Sequence, residues 1–236
     1  MNSIKDRLIV ALDVSSLNEA KKLIETLSPY VGYFKIGLEI MNAVGTPQIV
    51  KIIHNAGGKI FLDGKFNDIP NTVGAASKVV SHLGVEMFNV HAASGKHAIR
   101  AAAENKGTSL LLVVTVLTSL DETDAHHIFG QETKTKILQF AEDALHAGAD
   151  GLICSPKDLP YLKPYPEFSD LLKITPGIRP SWAATQDQKR TLTPSEALKA
   201  GATGLVIGRP ITHPPQEIGS PSEAAKRILD EMEEAL

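Results

Sequence analysis

The chain of 236 residues contains one cysteine, Cys154, and few aromatic residues, which make up 5% of the sequence. A single cysteine cannot form an intrachain disulfide, and it cannot contribute a cysteine cluster to a metal site. The 24 basic and 27 acidic residues leave a net charge of only −3, so composition does not indicate binding to nucleic acid or to an anionic membrane. Any phosphate group that this protein binds must therefore be held by a local site.

Long hydrophobic runs are also absent. No stretch approaches the ~18 apolar residues that a membrane-spanning helix needs. The N-terminal segment MNSIKDRLIVALDV has a short apolar run that Asp13 interrupts, and it lacks a signal-peptide cleavage site. We expect a cytoplasmic protein with one domain, residues 1–236, because no linker-like or low-complexity stretch divides the chain.

Short apolar segments alternate with longer amphipathic segments from end to end, which predicts strands alternating with helices. The predicted strands are 8–14, 32–38, 59–65, 87–92, 109–117, 151–155, 172–178 and 204–209. Eight such units favour a single-domain (β/α)8 TIM barrel of the α/β class. An open Rossmann-like sheet is the alternative, but no Gly-x-Gly-x-x-Gly follows the first strand. We also expect an inserted segment at 121–131 and a closing helix within 220–236.

Acidic and lysine residues lie near the C-terminal ends of the first three predicted strands, where barrel enzymes carry their catalytic groups. Asp13 follows the first strand and Lys35 belongs to the second. Asp63 and Lys65 lie two apart on the third strand and so point to one face, and Asp68 follows in the loop. Each residue alone is typical of a structural ion pair, but burying several charges together is costly and usually functional.

The spacing of these charges restricts the chemistry. Lys65 has acidic residues two positions before it and three after it, which favours the ammonium form over the neutral amine that a Schiff base requires. Lys65 is therefore a candidate proton donor. An aspartate about 4 Å from a substrate carboxylate would repel it by about 4 kcal/mol at an effective dielectric constant near 20. Loss of CO2 removes that repulsion.

The loops after the seventh and eighth strands are candidate phosphate sites, as in many barrels. They contain Gly177 and Arg179, and then Gly208 and Arg209. Glycines allow backbone N–H groups to approach a phosphate, and arginine offers a forked donor set. Ordinary turns with solvated arginines are the alternative interpretation. The long polar segment 181–190 is a candidate lid.

Other polar residues of the predicted rim are less informative. Thr118 and Ser119 end the fifth strand and are candidates to hydrogen-bond a base. His91 lies at the end of the fourth strand, and His126 and His127 lie in the inserted segment. None of these histidines has the spacing of a known metal motif, so we expect no metal site.

Four segments together resemble the orotidine 5′-phosphate decarboxylase family in its bacterial form. They are FKIGLE around Lys35, FLDGKFNDIPNTV around Asp63, and the later TPGIRP and LVIGRPIT. The resemblance runs in order from LIVALDV to LVIGRPIT. It implies a TIM-barrel lyase that decarboxylates orotidine 5′-phosphate to uridine 5′-phosphate and CO2 in de novo pyrimidine (UMP) biosynthesis, without a metal or cofactor.

The resemblance also implies roles for individual residues. Lys65 would protonate C6 of the pyrimidine, and Asp63 would lie against the departing carboxylate. Lys35 would complete the charged array and contact the ribose, and Asp13 would bind a ribose hydroxyl. The other implied substrate contacts are Ile69, Thr72, Thr118, Arg179, Gln188, Gly208 and Arg209.

The family pattern further implies a homodimer with shared active sites, in which Asp68 and Thr72 reach into the site of the second subunit. One departure from the pattern is visible. Gly64 and Asn67 stand where a bulkier apolar residue and often a histidine are expected. Neither position carries a reacting group, so we expect the departure to affect only the packing of the third strand.

Two alternatives remain open from the sequence. A Mg2+-dependent phosphosugar decarboxylase or aldolase of the same barrel group would share Asp63, Lys65 and Asp68, but should lack the combination of IPNTV and TPGIR. A non-catalytic nucleotide-binding barrel would tolerate loss of Lys65 or Asp68, and both are present.

Overall fold

The eight predicted strands form a closed barrel, in the order β1 to β8, in a computed structural model that describes residues 3–183 and 191–236. All neighbouring strands are parallel. The strands are β1 Leu8–Ala11, β2 Tyr33–Ile36, β3 Lys59–Phe66, β4 Met87–His91, β5 Leu110–Val114, β6 Gly151–Ile153, β7 Leu172–Thr175 and β8 Gly204–Ile207. The structure thus confirms the predicted (β/α)8 barrel, and the open-sheet alternative is wrong.

Helices connect successive strands on the outside of the barrel. They are α1 Leu17–Leu27, α2 Leu38–Val44, α3 Thr46–Asn55, α4 Pro70–His82, α5 Lys96–Asn105, α6 Glu122–Phe129, α7 Thr133–His146, α8 Leu159–Leu162, α9 Pro194–Lys199, α10 Arg209–Thr212 and α11 Pro221–Glu233. Short 3-10 helices occupy Lys5–Arg7, Ala92–Ser94, Pro156–Asp158 and Pro166–Phe168. Within the described ranges, no helix is long and apolar enough to span a bilayer.

Local sequence signals explain several helix starts. Ser16 caps α1 by accepting a hydrogen bond from the backbone N–H of Glu19, and Thr193 forms a capping box with Glu196 at the start of α9. The expected insertion is the helix α6, which begins with a capping box between Asp121 and Asp124. α11 is the predicted closing helix.

The barrel interior is layered, because alternate residues of each strand point inward. An apolar layer fills the middle of the barrel and includes Ile9, Tyr33, Phe61, Met87, Leu112, Ile174 and Val206. The residues two positions further along β2, β3 and β4 are Lys35, Asp63 and Asn89. A polar layer therefore lies directly above the apolar one, at the C-terminal mouth.

Candidate active site

The third strand contains an irregularity that carries a lysine into the mouth of the barrel. Leu62 pairs with Phe88 and Phe66 pairs with Val90, so four steps along β3 match two along β4. Within this bulge Lys65 has φ = 47°, and it is the only non-glycine residue with positive φ in the described part of the chain. This backbone conformation is unfavourable for a residue with a Cβ atom and often occurs at functional sites.

Two aspartates and two lysines form one continuous array across β2, β3 and the loop after β1. Lys35 Nζ lies 2.9 Å from Asp13 Oδ1 and 3.3 Å from Asp63 Oδ2. Lys65 Nζ lies 2.7 Å from Asp63 Oδ1. The four charges therefore alternate in sign from Asp13 to Lys65, and Asp63 contacts both lysines.

Mutual stabilisation favours the ionised forms of Asp63 and Lys35. Burial by itself would raise the pKa of Asp63, but the ammonium groups of Lys35 and Lys65 lower that pKa below its ordinary value. Burial would likewise lower the pKa of Lys35, yet the carboxylates of Asp63 and Asp13 raise it. At neutral pH the site therefore presents a buried carboxylate beside an ammonium group.

The array lines a cavity of about 250 Å³ at the C-terminal ends of the strands. Phe61, Ile153 and Val206 contribute apolar surface to this cavity. Eight of the predicted site residues share it: Asp13, Lys35, Asp63, Lys65, Thr118, Arg179, Gly208 and Arg209. The cavity thus combines a charged array, an apolar surface and two arginines.

The arginines lie at the loops after β7 and β8, as the sequence predicts. Arg179 is 8% exposed, and its Nη1 donates a hydrogen bond to the carbonyl of Ile178 at 2.9 Å. Arg209 is exposed and begins α10 directly after Gly208. Gly177 has φ = 78°, a conformation that favours glycine. Gln188 lies outside the described residues.

Asp68, Ile69 and Thr72 do not line the cavity of their own chain. They lie exposed at the start of α4, and Ile69 has 65% of its surface accessible. Asp68 Oδ1 accepts a hydrogen bond from the backbone N–H of Ile69 at 2.7 Å. These side chains therefore belong to the outer rim rather than to the array.

The small residue at position 64 has a packing reason. A Cβ atom on Gly64 would lie 2.9 Å from the Phe66 ring and 3.0 Å from the Leu62 side chain. Phe66 in turn packs against Phe88, with ring centroids 6.1 Å apart. Gly64 thus makes room for an aromatic residue inside the bulge, whereas Asn67 is exposed.

Sequence reasoning missed Asn89, which is completely buried in β4. Its Nδ2 donates to Asp63 Oδ1 at 2.7 Å, and its Oδ1 accepts the backbone N–H of Lys65 at 2.7 Å. A signal was available, because Asn89 is polar, stands within the apolar segment MFNVH and faces inward like Met87.

His91 also lies beside the array, at the end of β4. Burial, together with the charge of Lys65, lowers its pKa below the ordinary value. Its Nδ1 accepts the backbone N–H of Ala93 at 3.2 Å. His126 and His127 lie exposed on α6. In the described part of the chain, no three His, Cys, Asp or Glu side chains are grouped so that they could hold a metal.

Comparison with known proteins agrees with this geometry. A family model described as Orotidine 5′-phosphate decarboxylase / HUMPS family matches residues 6–228. An orotidine 5′-phosphate decarboxylase of Heliobacterium modesticaldum is 42% identical to this chain, and the match covers 98% of each protein. The enzyme of that name from Moorella thermoacetica is 43% identical, with 97% of this chain and 93% of the relative covered.

A solved structure extends the similarity to the whole barrel. The crystal structure of orotidine 5′-phosphate decarboxylase from Lactobacillus acidophilus matches with a TM-score of 0.80 and 33% sequence identity. The match covers 95% of this chain and 98% of that structure.

Proposed function

The chain belongs to the orotidine 5′-phosphate decarboxylase / HUMPS family, and on this basis we propose that it is the lyase that converts orotidine 5′-phosphate to uridine 5′-phosphate and CO2. The observation that carries the proposal is the array of Asp13, Lys35, Asp63 and Lys65 in one cavity with Arg179 and Arg209. The reaction would serve de novo pyrimidine biosynthesis.

In the proposed mechanism, Asp63 and Lys65 act on the same carbon of the substrate. The ionised Asp63 lies against the substrate carboxylate, and their repulsion is relieved as CO2 leaves. The C6–carboxyl bond breaks, and its electron pair stays on C6. The ammonium group of Lys65, held 2.7 Å from Asp63 Oδ1, then donates its proton to C6. Water afterwards returns a proton to the lysine.

The remaining residues hold the nucleotide. We assign Lys35 and Asp13 to the ribose, Thr118 to the pyrimidine edge, and Arg179, Gly208, Arg209 and Gln188 to the phosphate. Phosphate binding far from C6 supplies free energy that can bring the substrate carboxylate against Asp63.

We propose that the reaction requires neither a metal nor a cofactor. The chain itself supplies both groups that the chemistry uses, since Lys65 Nζ and Asp63 Oδ1 lie 2.7 Å apart. The charged array is thus sufficient for carboxylate repulsion and for proton donation.

We further propose a cytoplasmic homodimer in which Asp68 and Thr72 of each subunit reach into the site of the other. Their exposed position at the start of α4 supports this assignment, because they do not line the cavity of their own chain.

The first test is the absorbance of orotidine 5′-phosphate incubated with the purified protein and EDTA. We expect the substrate absorbance to disappear at the same rate in EDTA as in Mg2+. If folded protein leaves orotidine 5′-phosphate unchanged and instead converts a keto-acid sugar phosphate only with Mg2+, the protein is the phosphosugar enzyme of the same barrel group.

A further inference from the structure

Asn89 hydrogen-bonds to both residues that carry the proposed chemistry, Asp63 and Lys65. It is completely buried in β4, beneath the bulge of β3, and it does not line the cavity. A buried side-chain amide normally requires hydrogen-bond partners for both its oxygen and its nitrogen. Asn89 has a partner for each.

The chemistry of these partners determines which way the amide faces. The carboxylate of Asp63 can only accept, so the atom 2.7 Å from its Oδ1 must be the NH2 group of Asn89. The backbone N–H of Lys65 can only donate, so the atom 2.7 Å from it must be the amide oxygen. One side chain therefore contacts Asp63 through its carboxylate and Lys65 through its backbone.

The two hydrogen bonds of Asn89 hold the Lys65 backbone and the Asp63 carboxylate. Lys65 adopts a positive φ that side-chain-bearing residues seldom occupy, and such a conformation persists when the surrounding structure holds it. Asp63 receives Lys65 Nζ and Asn89 Nδ2 on Oδ1, while its Oδ2 faces Lys35 at 3.3 Å. Asn89 thus fixes both the orientation of the Asp63 carboxylate and the backbone position of Lys65, from which the lysine side chain extends.

We propose that Asn89 is a positioning residue for the decarboxylation, acting through Asp63 and Lys65 without touching the substrate. The inference rests on the proposed function. Because Asn89 contributes no surface to the cavity, its loss should reduce kcat while leaving KM nearly unchanged.

The informative substitution is Asn89→Asp. An ionised aspartate can still accept the N–H of Lys65, but it offers no donor to Asp63 and adds a like charge beside it. A protonated aspartate, in contrast, has an O–H donor and a C=O acceptor at nearly the positions of the asparagine groups. The variant should therefore regain activity on protonation.

The measurement is kcat and KM of the wild type and of Asn89→Asp between about pH 6 and about pH 8. We expect kcat of the variant to fall by at least about tenfold at the upper pH, with KM within about threefold. The ratio of variant to wild-type kcat should then rise several-fold toward the lower pH. Asn105→Asp, on α5, is the matched control, because the side chain of Asn105 donates to the carbonyl of Ala101 in its own helix. The kcat of this control should match that of the wild type.

A kcat ratio that stays constant across this pH range, or an unchanged kcat, would overturn the inference. If Asn89→Asp does not fold, Asn89→Ser serves in its place, because serine is too short to make both contacts. It should show the same loss of kcat without recovery at low pH, and wild-type kcat in this variant would also overturn the inference. Failure of the proposed function itself is distinguishable, since the wild type would then be inactive.

Discussion

Lys35 Nζ and Asp63 Oδ2 lie 3.3 Å apart, although the two residues belong to different strands. In the ladder between β2 and β3, Lys35 pairs with Phe61, and Asp63 faces the same side two residues further along. The ion pair therefore joins adjacent strands in the polar layer of the barrel. Asp63 also contacts Lys65, so a single carboxylate compensates two buried or half-buried ammonium groups.

Substituting Asp63→Asn should therefore damage both activity and stability. Removing one partner of a buried charge cluster typically costs about 3–5 kcal/mol, and we expect a lower urea midpoint accordingly. We also expect kcat to fall by at least about a hundredfold, because the neutral amide no longer repels the substrate carboxylate. Asp230→Asn on the exposed side of α11 is the control. Wild-type kcat in Asp63→Asn would contradict the role of this charge.

Arg209 provides a test of the phosphate site that separates binding from chemistry. A charge-assisted hydrogen bond contributes about 1.5–3 kcal/mol, so Arg209→Ala should raise KM for orotidine 5′-phosphate by about 10- to 150-fold. Inhibition by inorganic phosphate should weaken in parallel. Arg227→Ala, an exposed position on α11, should leave both constants unchanged. An unaltered KM in Arg209→Ala would place the phosphate elsewhere.

His91 makes the stability of the protein dependent on pH. Its folded-state pKa lies below the ordinary value of 6.5, so the unfolded chain binds more protons near and below that pH. The stability that neutral His91 contributes is therefore fully present above about pH 7.5, begins to fall near 6.5, and continues to fall until the pH passes below the lower folded-state pKa.

Urea unfolding of the wild type and His91→Gln between about pH 5 and about pH 8 checks this expectation. The variant should lose less stability on acidification than the wild type, because glutamine does not titrate. His127→Gln, at an exposed position on α6, should follow the wild type. Parallel curves for all three proteins would show that His91 does not titrate differently on folding.

The proposed sharing of active sites between two subunits can be tested by mixing two variants that we expect to be inactive. In a hybrid dimer of Lys65→Ala and Asp68→Ala subunits, one of the two sites contains both an intact lysine and an intact partner aspartate. Random exchange at equal concentrations should restore roughly a quarter of the wild-type sites. A mixture that remains inactive after subunit exchange would mean that Asp68 acts within its own chain.

Periodicity in the sequence predicts the fold and places the charged residues of the cavity on one side of their strands. Inward-facing residues alternate along each strand, so Asp63 falls on the same side as Lys35 once the strands pair in register. The strand ends were less predictable. β5 ends at Val114, before the predicted position 117, because the chain leaves the ladder to form the rim that contains Thr118.

The bulge in β3 could not be anticipated from the residue pattern. Simple alternation places Asp63 and Lys65 on one regular strand, but the structure inserts two residues relative to β4 and turns Lys65 to φ = 47°. Gly64 and Phe66 accommodate this bulge through close packing. Asn89 could be noticed as the polar residue of MFNVH, but its contacts with Asp63 and Lys65 join two strands, and sequence spacing does not encode such contacts.

The most direct test of the central claim compares wild-type protein with Lys65→Ala in the orotidine 5′-phosphate absorbance assay with EDTA. Circular dichroism must show that both are folded, and Lys21→Ala at an exposed position on α1 is the control. Since a positioned general acid typically contributes about 10²–10⁴-fold, we predict at least a comparable loss of kcat in Lys65→Ala and none in Lys21→Ala. Wild-type turnover by folded Lys65→Ala would contradict the assignment of Lys65 as the proton donor.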